Sequence, residues 1–134
     1  FYGKGSKKSH NNKSFKEISG LYWSHLKSSA KQRSIEFNIT IEEAWDLFIK
    51  QNKRCKLSNL EINMGFWDVL KSGRNKFIKG TASLDRIDSD KGYTKTNVQW
   101  IHKDINIIKN TYNNEQFIDI CNKVSNYRKS LAST

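Results

Sequence analysis

Three polar residues in the second half of the sequence are of types that could do chemistry with a divalent metal ion, Asp85 and Asn106 as its ligands and His102 as a nearby base. Asp85 offers a carboxylate, and His102 and Asn106 follow in a stretch with helical spacing. Residues four apart lie on one face of a helix, so a helix beginning near His102 would present His102, Asn106 and Asn110 in one direction. A hairpin packed on that helix would place Asp85 beside Asn106 and leave the other coordination positions to water and phosphate oxygens. Such an oxygen-rich shell is typical of Mg²⁺, with Mn²⁺ as a substitute.

The same stretch of sequence predicts the elements that must position these side chains. Residues 82–87 and 97–101 are predicted to be strands, joined by a turn at 89–96, and a helix is predicted over 102–110. The predicted helix also has an apolar face, which separates the polar stripe from the core. This face consists of Ile101, Ile105, Ile108 and Tyr112.

The segment 83–110 resembles the motif of the HNH, or ββα-metal, nuclease family. It contains SLDRID, GY, NVQW, a histidine and a final N..K pattern, in the order found in the phage and mobile-element branch. By this resemblance Asp85 and Asn106 would bind the metal. Asn97 would order the loop, and Lys109 is the trailing lysine. The resemblance implies an α+β fold with a ββα-metal hairpin-plus-helix core and additional N- and C-terminal helices. It also implies a DNA endonuclease or nickase that hydrolyses phosphodiester bonds with Mg²⁺ or Mn²⁺.

The sequence departs from the family pattern immediately after the metal-binding aspartate. The family has its general base there, whereas this chain has Arg86, and a guanidinium cannot accept a proton in a protein. His102 is the first substitute, because it lies on the same predicted face as Asn106 and titrates near neutral pH. Asp88 is the second, as a base or as a further metal ligand. Arg86 itself could hold a phosphate and stabilise developing charge.

A second departure concerns structural zinc, which many family members bind through two pairs of cysteines. Of the first pair only Cys55 is present, and the positions of the second pair hold His102 and Ile105. A structural zinc site needs about four nitrogen or sulfur ligands. The sequence therefore predicts that no structural zinc is bound.

The rest of the chain divides into a short arm and one domain. Residues 1–16 are basic, rich in Gly, Ser and Asn, and predicted to be a flexible arm or linker; residues 17–134 form the domain. Residues 17–54 are its helical N-terminal part, residues 82–110 contain the ββα motif, and residues 113–130 are predicted to be a C-terminal helix. The chain begins with Phe1 rather than Met, which is compatible with a fragment of a longer protein.

Local patterns refine three parts of this domain. Thr40 and Glu43 form a capping box that predicts the start of a helix. The segment 52–80 has no clear pattern, except that residues 63–65 and 71–75 are predicted to be loops around an apolar patch of Phe66, Trp67, Val69 and Leu70. The C-terminal helix is expected to turn inward a face made of Phe117, Ile120, Cys121 and Val124.

The charge balance points to a polyanionic partner. Lys and Arg number 24 against 13 acidic residues, giving a formal charge of +11, and such a field favours nucleic acid. Double-stranded DNA is the expected partner. No apolar run in the sequence is long enough for a membrane span. The oligomeric state is left open. Two distant cysteines, with the resemblance, predict the cytoplasm of a bacterial host for a protein of host or phage origin. The residues expected to contact DNA are Lys27, Lys31, Arg33, Arg86, Lys91, Lys103 and Lys109.

Two other functions are compatible with the sequence. Arg86 leaves open a DNA-binding module that kept the hairpin and helix but lost catalysis. The overall basic charge is also compatible with an RNA-binding protein that needs no metal.

Overall fold

A computed structural model describes residues 13–133, and most of the expected arm at 1–16 lies outside this range. Phe15 and Ile18 exchange two backbone hydrogen bonds of 3.0 Å each, and Ile18 is buried. Ordered structure therefore begins before the predicted boundary at 17, which places the last residues of the expected arm within the domain.

The chain is a mixed α+β structure, as the sequence predicts. In chain order its elements are helix α1 (Gly20–Gln32), strand β1 (Phe37–Asn38), helix α2 (Ile41–Lys50), strands β2 (Gly65–Val69), β3 (Asn75–Lys79), β4 (Ala82–Arg86), β5 (Tyr93–Thr94) and β6 (Val98–His102), helix α3 (Lys103–Lys109) and helix α4 (Asn114–Ala132).

Side-chain caps explain where three of the helices begin. Ser19 accepts a hydrogen bond from the backbone of Tyr22 at the start of α1. The capping box predicted at Thr40 and Glu43 is confirmed at the start of α2. Asn113 makes the equivalent reciprocal pair ahead of α4. Each cap satisfies a backbone N–H that the helix itself leaves unpaired.

The six strands form three separate pairs. Strand β1 runs parallel to β5, β2 runs antiparallel to β3, and β4 runs antiparallel to β6. In the last pair Asp85 lies opposite Gln99 and Leu84 opposite Trp100. Because side chains alternate along a strand, this register gives the hairpin two distinct faces. The site face carries Ser83, Asp85, Gln99 and Ile101, and the core face carries Ala82, Leu84, Arg86, Val98, Trp100 and His102.

The core face of the hairpin packs against α1 and α2 around Trp100. This side chain is fully buried, donates from its ring nitrogen to the carbonyl oxygen of Ala44 at 2.8 Å and meets the ring of Phe48 edge-on. Tyr22 of α1 accepts a hydrogen bond from the backbone of Leu84, and burial raises the pKa of Tyr22 to about 12. The hairpin is thereby fixed against the N-terminal helices.

Two parts of the chain differ from the sequence predictions. The segment 52–80, for which the sequence predicts only loops and an apolar patch, contains the β2–β3 hairpin. Helix α4 buries only Phe117. Ile120, Cys121 and Val124 are exposed, so the prediction of an inward apolar face is wrong beyond the first turn. Within the described range, none of the helices has the length and apolar character needed to cross a lipid bilayer.

Candidate functional site

Asp85 lies in the middle of β4 on the site face and is almost entirely buried, with 6% of its surface exposed. Its Oδ2 atom accepts two hydrogen bonds of 2.9 Å, one from the Nζ of Lys109 and one from the side-chain amide of Gln99. A buried carboxylate is strongly disfavoured unless it is paired and hydrogen-bonded. Lys109, which is fully buried as well, supplies the opposite charge at Oδ2.

Asn106 lies on the same side of the hairpin as Asp85. Its Nδ2 donates to the hydroxyl of Ser83 at 2.7 Å, and Ser83 lies two residues before Asp85 on the same face of β4. Lys109 follows Asn106 by one helical turn and therefore lies on the same face of the helix. It contacts Asp85, which lies two residues beyond Ser83 on the strand. Helix α3 therefore covers the site face, with two contacts that run in register along one strand.

A second layer of hydrogen bonds extends this arrangement to α4. Gln99 and Asn114 exchange two side-chain hydrogen bonds of 2.8 and 3.1 Å, while Gln99 also contacts Asp85. Gln99, Asn114 and Ser83 are not among the site residues predicted from the sequence. The sequence pattern could have identified Gln99 as a site residue, since it is a polar residue in an otherwise apolar strand and lies opposite Asp85 in the predicted hairpin.

Asn97 closes the loop between β4 and β6, in the structural role expected of it. Its side-chain oxygen accepts from the backbone N–H of Asp88, and its Nδ2 donates to the carbonyl oxygens of Asp88 and Gly92, at 2.9–3.0 Å. The residue is buried, so all three bonds are protected from water. One amide thus fixes both ends of the loop.

Asn97→Ala is expected to lower the free energy of unfolding by about 2–4 kcal/mol, because it removes three bonds and leaves buried backbone groups unpaired. Thermal or urea unfolding measures the effect. Asn38→Ala is the matched control, since this exposed asparagine should change stability by less than about 0.5 kcal/mol. Equal unfolding curves for the two variants would mean that the amide does not hold the loop.

Arg86 does not lie beside Asp85. It belongs to the core face of the hairpin, where its NH1 donates to the carbonyl oxygens of Ser89 at 2.7 Å and Lys91 at 2.9 Å and its guanidinium stacks over the ring of Tyr93. The expectation that Arg86 clamps a phosphate at the metal site is corrected, because the side chain is turned away and holds its own loop.

His102 is also on the core face, three residues along β6 from Gln99. It is the cap of α3 rather than part of it, and its Nδ1 accepts from the backbone N–H of Asp104 at 3.1 Å. The expected polar face of His102, Asn106 and Asn110 is therefore wrong, since the helix begins after His102 and ends before Asn110. His102 is not placed to act on a group bound at Asp85.

The predicted apolar face of this helix also needs correction. Ile101 is buried and Ile105 half-buried, whereas Ile108 and Tyr112 are exposed. Helix α3 has only seven residues, so Tyr112 lies beyond its end.

Asp88 is the remaining candidate for a base. It is half-buried two residues beyond β4, and its Oδ1 accepts from the backbone N–H of Asp90 at 3.0 Å. This turn hydrogen bond does not involve Oδ2.

The basic residues expected to contact DNA divide into one that is internal and several that are accessible. Lys109 is corrected: its side chain is fully buried and its ammonium is taken by Asp85 and by the carbonyl oxygen of Arg86. Arg86 is half-buried. The others are exposed on α1 or immediately after it, on the β4–β6 loop and at the start of α3: Lys27, Lys31, Arg33, Lys91 and Lys103.

Asp85 and Asn106 each keep one side-chain oxygen outside the hydrogen bonds of the site face. The two bonds to Asp85 use Oδ2 and the bond from Asn106 uses Nδ2, so Oδ1 of each residue takes part in none of them. One carboxylate oxygen and one or two neutral oxygens, completed by water, suit Mg²⁺. Across residues 13–133, no three His, Cys, Asp or Glu side chains are grouped to hold a metal ion.

Cys55, the thiol on which a zinc site would depend, is buried near β6. Burial raises the pKa of this thiol, but hydrogen bonds from the Ser58 side chain and from the backbone of His102, Leu57 and Ser58 outweigh it and lower the pKa below its usual value. The hydrogen bonds around the sulfur thus favour the ionised thiol.

A comparison of the chain with protein-family models, curated proteins and solved structures finds no match.

Proposed function

We propose that this chain is a metal-dependent DNA endonuclease or nickase of the HNH, ββα-metal type. The observation that carries the proposal is the convergence of Asp85 and the two helical residues Asn106 and Lys109 on one face of an antiparallel hairpin. The strand, loop, strand and helix follow each other in the order that the motif implies. Asn97, which the motif assigns to the loop, closes that loop.

The residues that would hold the ion are Asp85 and Asn106, with the hydroxyl of Ser83 beside them. A bound Mg²⁺ or Mn²⁺ supplies polarisation of the scissile phosphate and stabilisation of the leaving oxygen. Lys109 and Gln99 hold the carboxylate of Asp85 through Oδ2 and so fix the direction of Oδ1. A preorganised carboxylate needs no rearrangement when the substrate arrives.

Activation of the attacking water falls to Asp88 in this proposal. Arg86 cannot take a proton, and His102 lies on the other face of the hairpin. Asp88 lies two residues beyond β4 and belongs to the loop that Asn97 holds, so its position relative to Asp85 is defined by a hydrogen-bonded loop.

Double-stranded DNA is the proposed substrate because of the charge of the chain. The excess of 11 positive charges attracts phosphates and releases their counterions on binding. The exposed cations of α1, Lys27 and Lys31, with Lys91 and Lys103 nearer the hairpin, are the proposed phosphate contacts. Such contacts position a protein on DNA without reading its sequence.

Supercoiled plasmid incubated with Mg²⁺ or Mn²⁺ tests the proposal. We expect nicked or linear product from the wild type, none with EDTA, and none from Asp85→Asn. Asp46→Asn, which removes an exposed carboxylate of α2, should cut like the wild type. Circular dichroism checks that Asp85→Asn is folded, and Asn106→Ala provides a second lesion at the same face. Cleavage by Asp85→Asn at the wild-type rate, or no cleavage by the wild type with either metal, would refute the proposal.

A DNA-binding module without catalysis is the second candidate, and a specific observation favours it. Lys109 already neutralises Asp85 at 2.9 Å, so this ion pair could serve the fold in place of a metal. The plasmid assay separates the two functions, since retention of DNA in EDTA and with metal, without product, supports the module. Preference for RNA over duplex DNA, indifferent to metal and to Asp85→Asn, would instead support an RNA-binding protein.

A further inference from the structure

The β2–β3 ribbon, residues 65–79, stands apart from the rest of the fold as a two-stranded element. Its five paired positions run from Gly65 opposite Lys79 to Val69 opposite Asn75, and among the described residues no third strand joins it. Large apolar residues such as Phe66 and Val69 are exposed on it. An isolated hairpin is at best marginally stable in water, so this ribbon is an element that a partner would complete.

The charge of the ribbon indicates what kind of partner this is. It carries four cations, Lys71, Arg74, Lys76 and Lys79, and one anion, Asp68, so its net charge is four minus one, or +3. All four cations are exposed, and none of them takes part in an ion pair within residues 13–133. Free cations on an exposed element are complementary to a polyanion.

The tip of the ribbon carries an arginine and an asparagine side by side, and both residue types can form hydrogen bonds with the edges of DNA bases. The turn is closed by hydrogen bonds of 2.8 Å from Leu70 to Arg74 and from Gly73 to Leu70, and Gly73 has a φ of +85°, which glycine adopts without strain. Arg74 and Asn75 follow at once. Arginine contacts guanine and asparagine contacts adenine through paired hydrogen bonds in the major groove, which is about 12 Å wide and admits a two-stranded ribbon.

The base of the ribbon is fixed next to the candidate site. A Cβ atom on Gly80 would meet the carbonyl oxygen of Asn63 at 2.2 Å and the nitrogen of Gly65 at 2.3 Å, so the two ends of the ribbon are in close backbone contact. Strand β4 begins two residues later. Phe77 and Lys79 share the lining of a cavity of about 360 Å³ with Ser83, whose hydroxyl contacts Asn106. The ribbon is thus attached to the strand that carries Asp85.

We propose that the β2–β3 ribbon enters the major groove of double-stranded DNA and selects where the site acts. Lys71 and Lys76 bind phosphates on the two sides of the groove, and Arg74, with Asn75 beside it, contacts base edges. The inference rests on the proposed function for its substrate, and it adds the element that gives sequence preference.

Binding in EDTA tests the ribbon independently of cleavage. The probe is a labelled random-sequence DNA duplex, titrated at several salt concentrations with wild type, Lys71→Ala/Lys76→Ala and the charge-matched control Lys50→Ala/Lys129→Ala. We expect the ribbon variant to bind about tenfold more weakly and to lose about two units of the slope of log affinity against log salt. The control should change neither by a comparable amount. A ribbon variant that matches the control overturns the proposal.

Selection from a random duplex pool tests the groove contact. The wild type should enrich a motif containing guanine, and Arg74→Ala should lose about tenfold of the preference at one position. No enrichment by the wild type, or ribbon-dependent binding of RNA or of a protein in place of duplex DNA, would overturn the assignment. If the ribbon selects DNA sequences but the protein cuts no DNA, only the proposed nuclease function is refuted. If the protein cuts DNA with metal and the ribbon variants change neither binding nor selection, only the role of the ribbon is refuted.

Discussion

Lys109→Met should destabilise the folded chain by about 3–5 kcal/mol, which is typical when one partner of a buried ion pair is removed. The ammonium of Lys109 is 2.9 Å from Oδ2 of Asp85, and both side chains are buried. Methionine fills much of the same volume but leaves the carboxylate without its cation. Urea unfolding followed by circular dichroism measures the loss.

The double variant Asp85→Asn/Lys109→Met is the control that assigns this loss to the unpaired charge. Asparagine keeps an acceptor for the amide of Gln99 and carries no charge, so the double variant should regain most of the stability. Lys123→Met breaks an exposed pair with Asp119 and should leave the unfolding curve close to that of the wild type. If the double variant is no more stable than Lys109→Met, then packing around the lysine stem, and not the charge, holds α3 to β4.

Asp88→Asn should lower the rate of metal-dependent DNA cleavage by about 10²–10⁴-fold, the usual effect of removing a positioned base. The amide can still accept the turn hydrogen bond from Asp90, because asparagine forms the same kind of turn. The loop should therefore keep its shape while losing the group that takes the proton. Single-turnover cleavage of a labelled duplex at saturating metal measures the rate.

His102→Asn is the comparison that separates the two candidate bases. Asparagine is a favourable helix cap, so the start of α3 is preserved while the imidazole is removed. Because His102 lies on the core face, the His102→Asn variant should cleave DNA at nearly the wild-type rate. A large loss for His102→Asn with no loss for Asp88→Asn would show that the reaction takes place on the other face of the hairpin.

The elements around the candidate site are largely predictable from the sequence, because short-range signals define them. Alternating apolar residues mark β4 and β6, and the polar run between them marks the loop. The capping box at Thr40 depends only on residues three apart. The role of Asn97 also follows from its position at the start of a strand, where a side-chain amide readily meets the turn before it.

The side chains of the site were less predictable, because their partners are set by strand register and by helix boundaries. A shift of one residue moves a side chain to the other face of a strand, and His102 illustrates this. Placed at the start of a helix it would share a face with Asn106; placed at the end of β6 it faces away from Asp85. The burial of Lys109 is missed for a related reason, since lysine is almost never fully buried without a partner, and its partner is 24 residues away.

Exposed apolar residues explain the remaining errors. The spacing of Ile120 and Val124 predicts a buried face, but a pattern shows only that a helix has an apolar side and not that this chain covers it. The β2–β3 ribbon is missed because its strands mix charged and apolar residues without a regular alternation. Its signal was the five-residue connection containing Gly73, which is typical of longer hairpin turns.

Helix α4 has mechanical consequences for Asp85. Its first residue, Asn114, is tied to Gln99 and through it to the carboxylate, whereas the helix from Ile118 onward is exposed. Nineteen residues at about 1.5 Å each give a rod of about 28 Å, anchored at one end. A partner that binds the C-terminal end of α4 would therefore act on the site through this rod. A small rotation of the helix would shift the hydrogen-bonded pair of Asn114 and Gln99 and, through Gln99, tilt the carboxylate of Asp85.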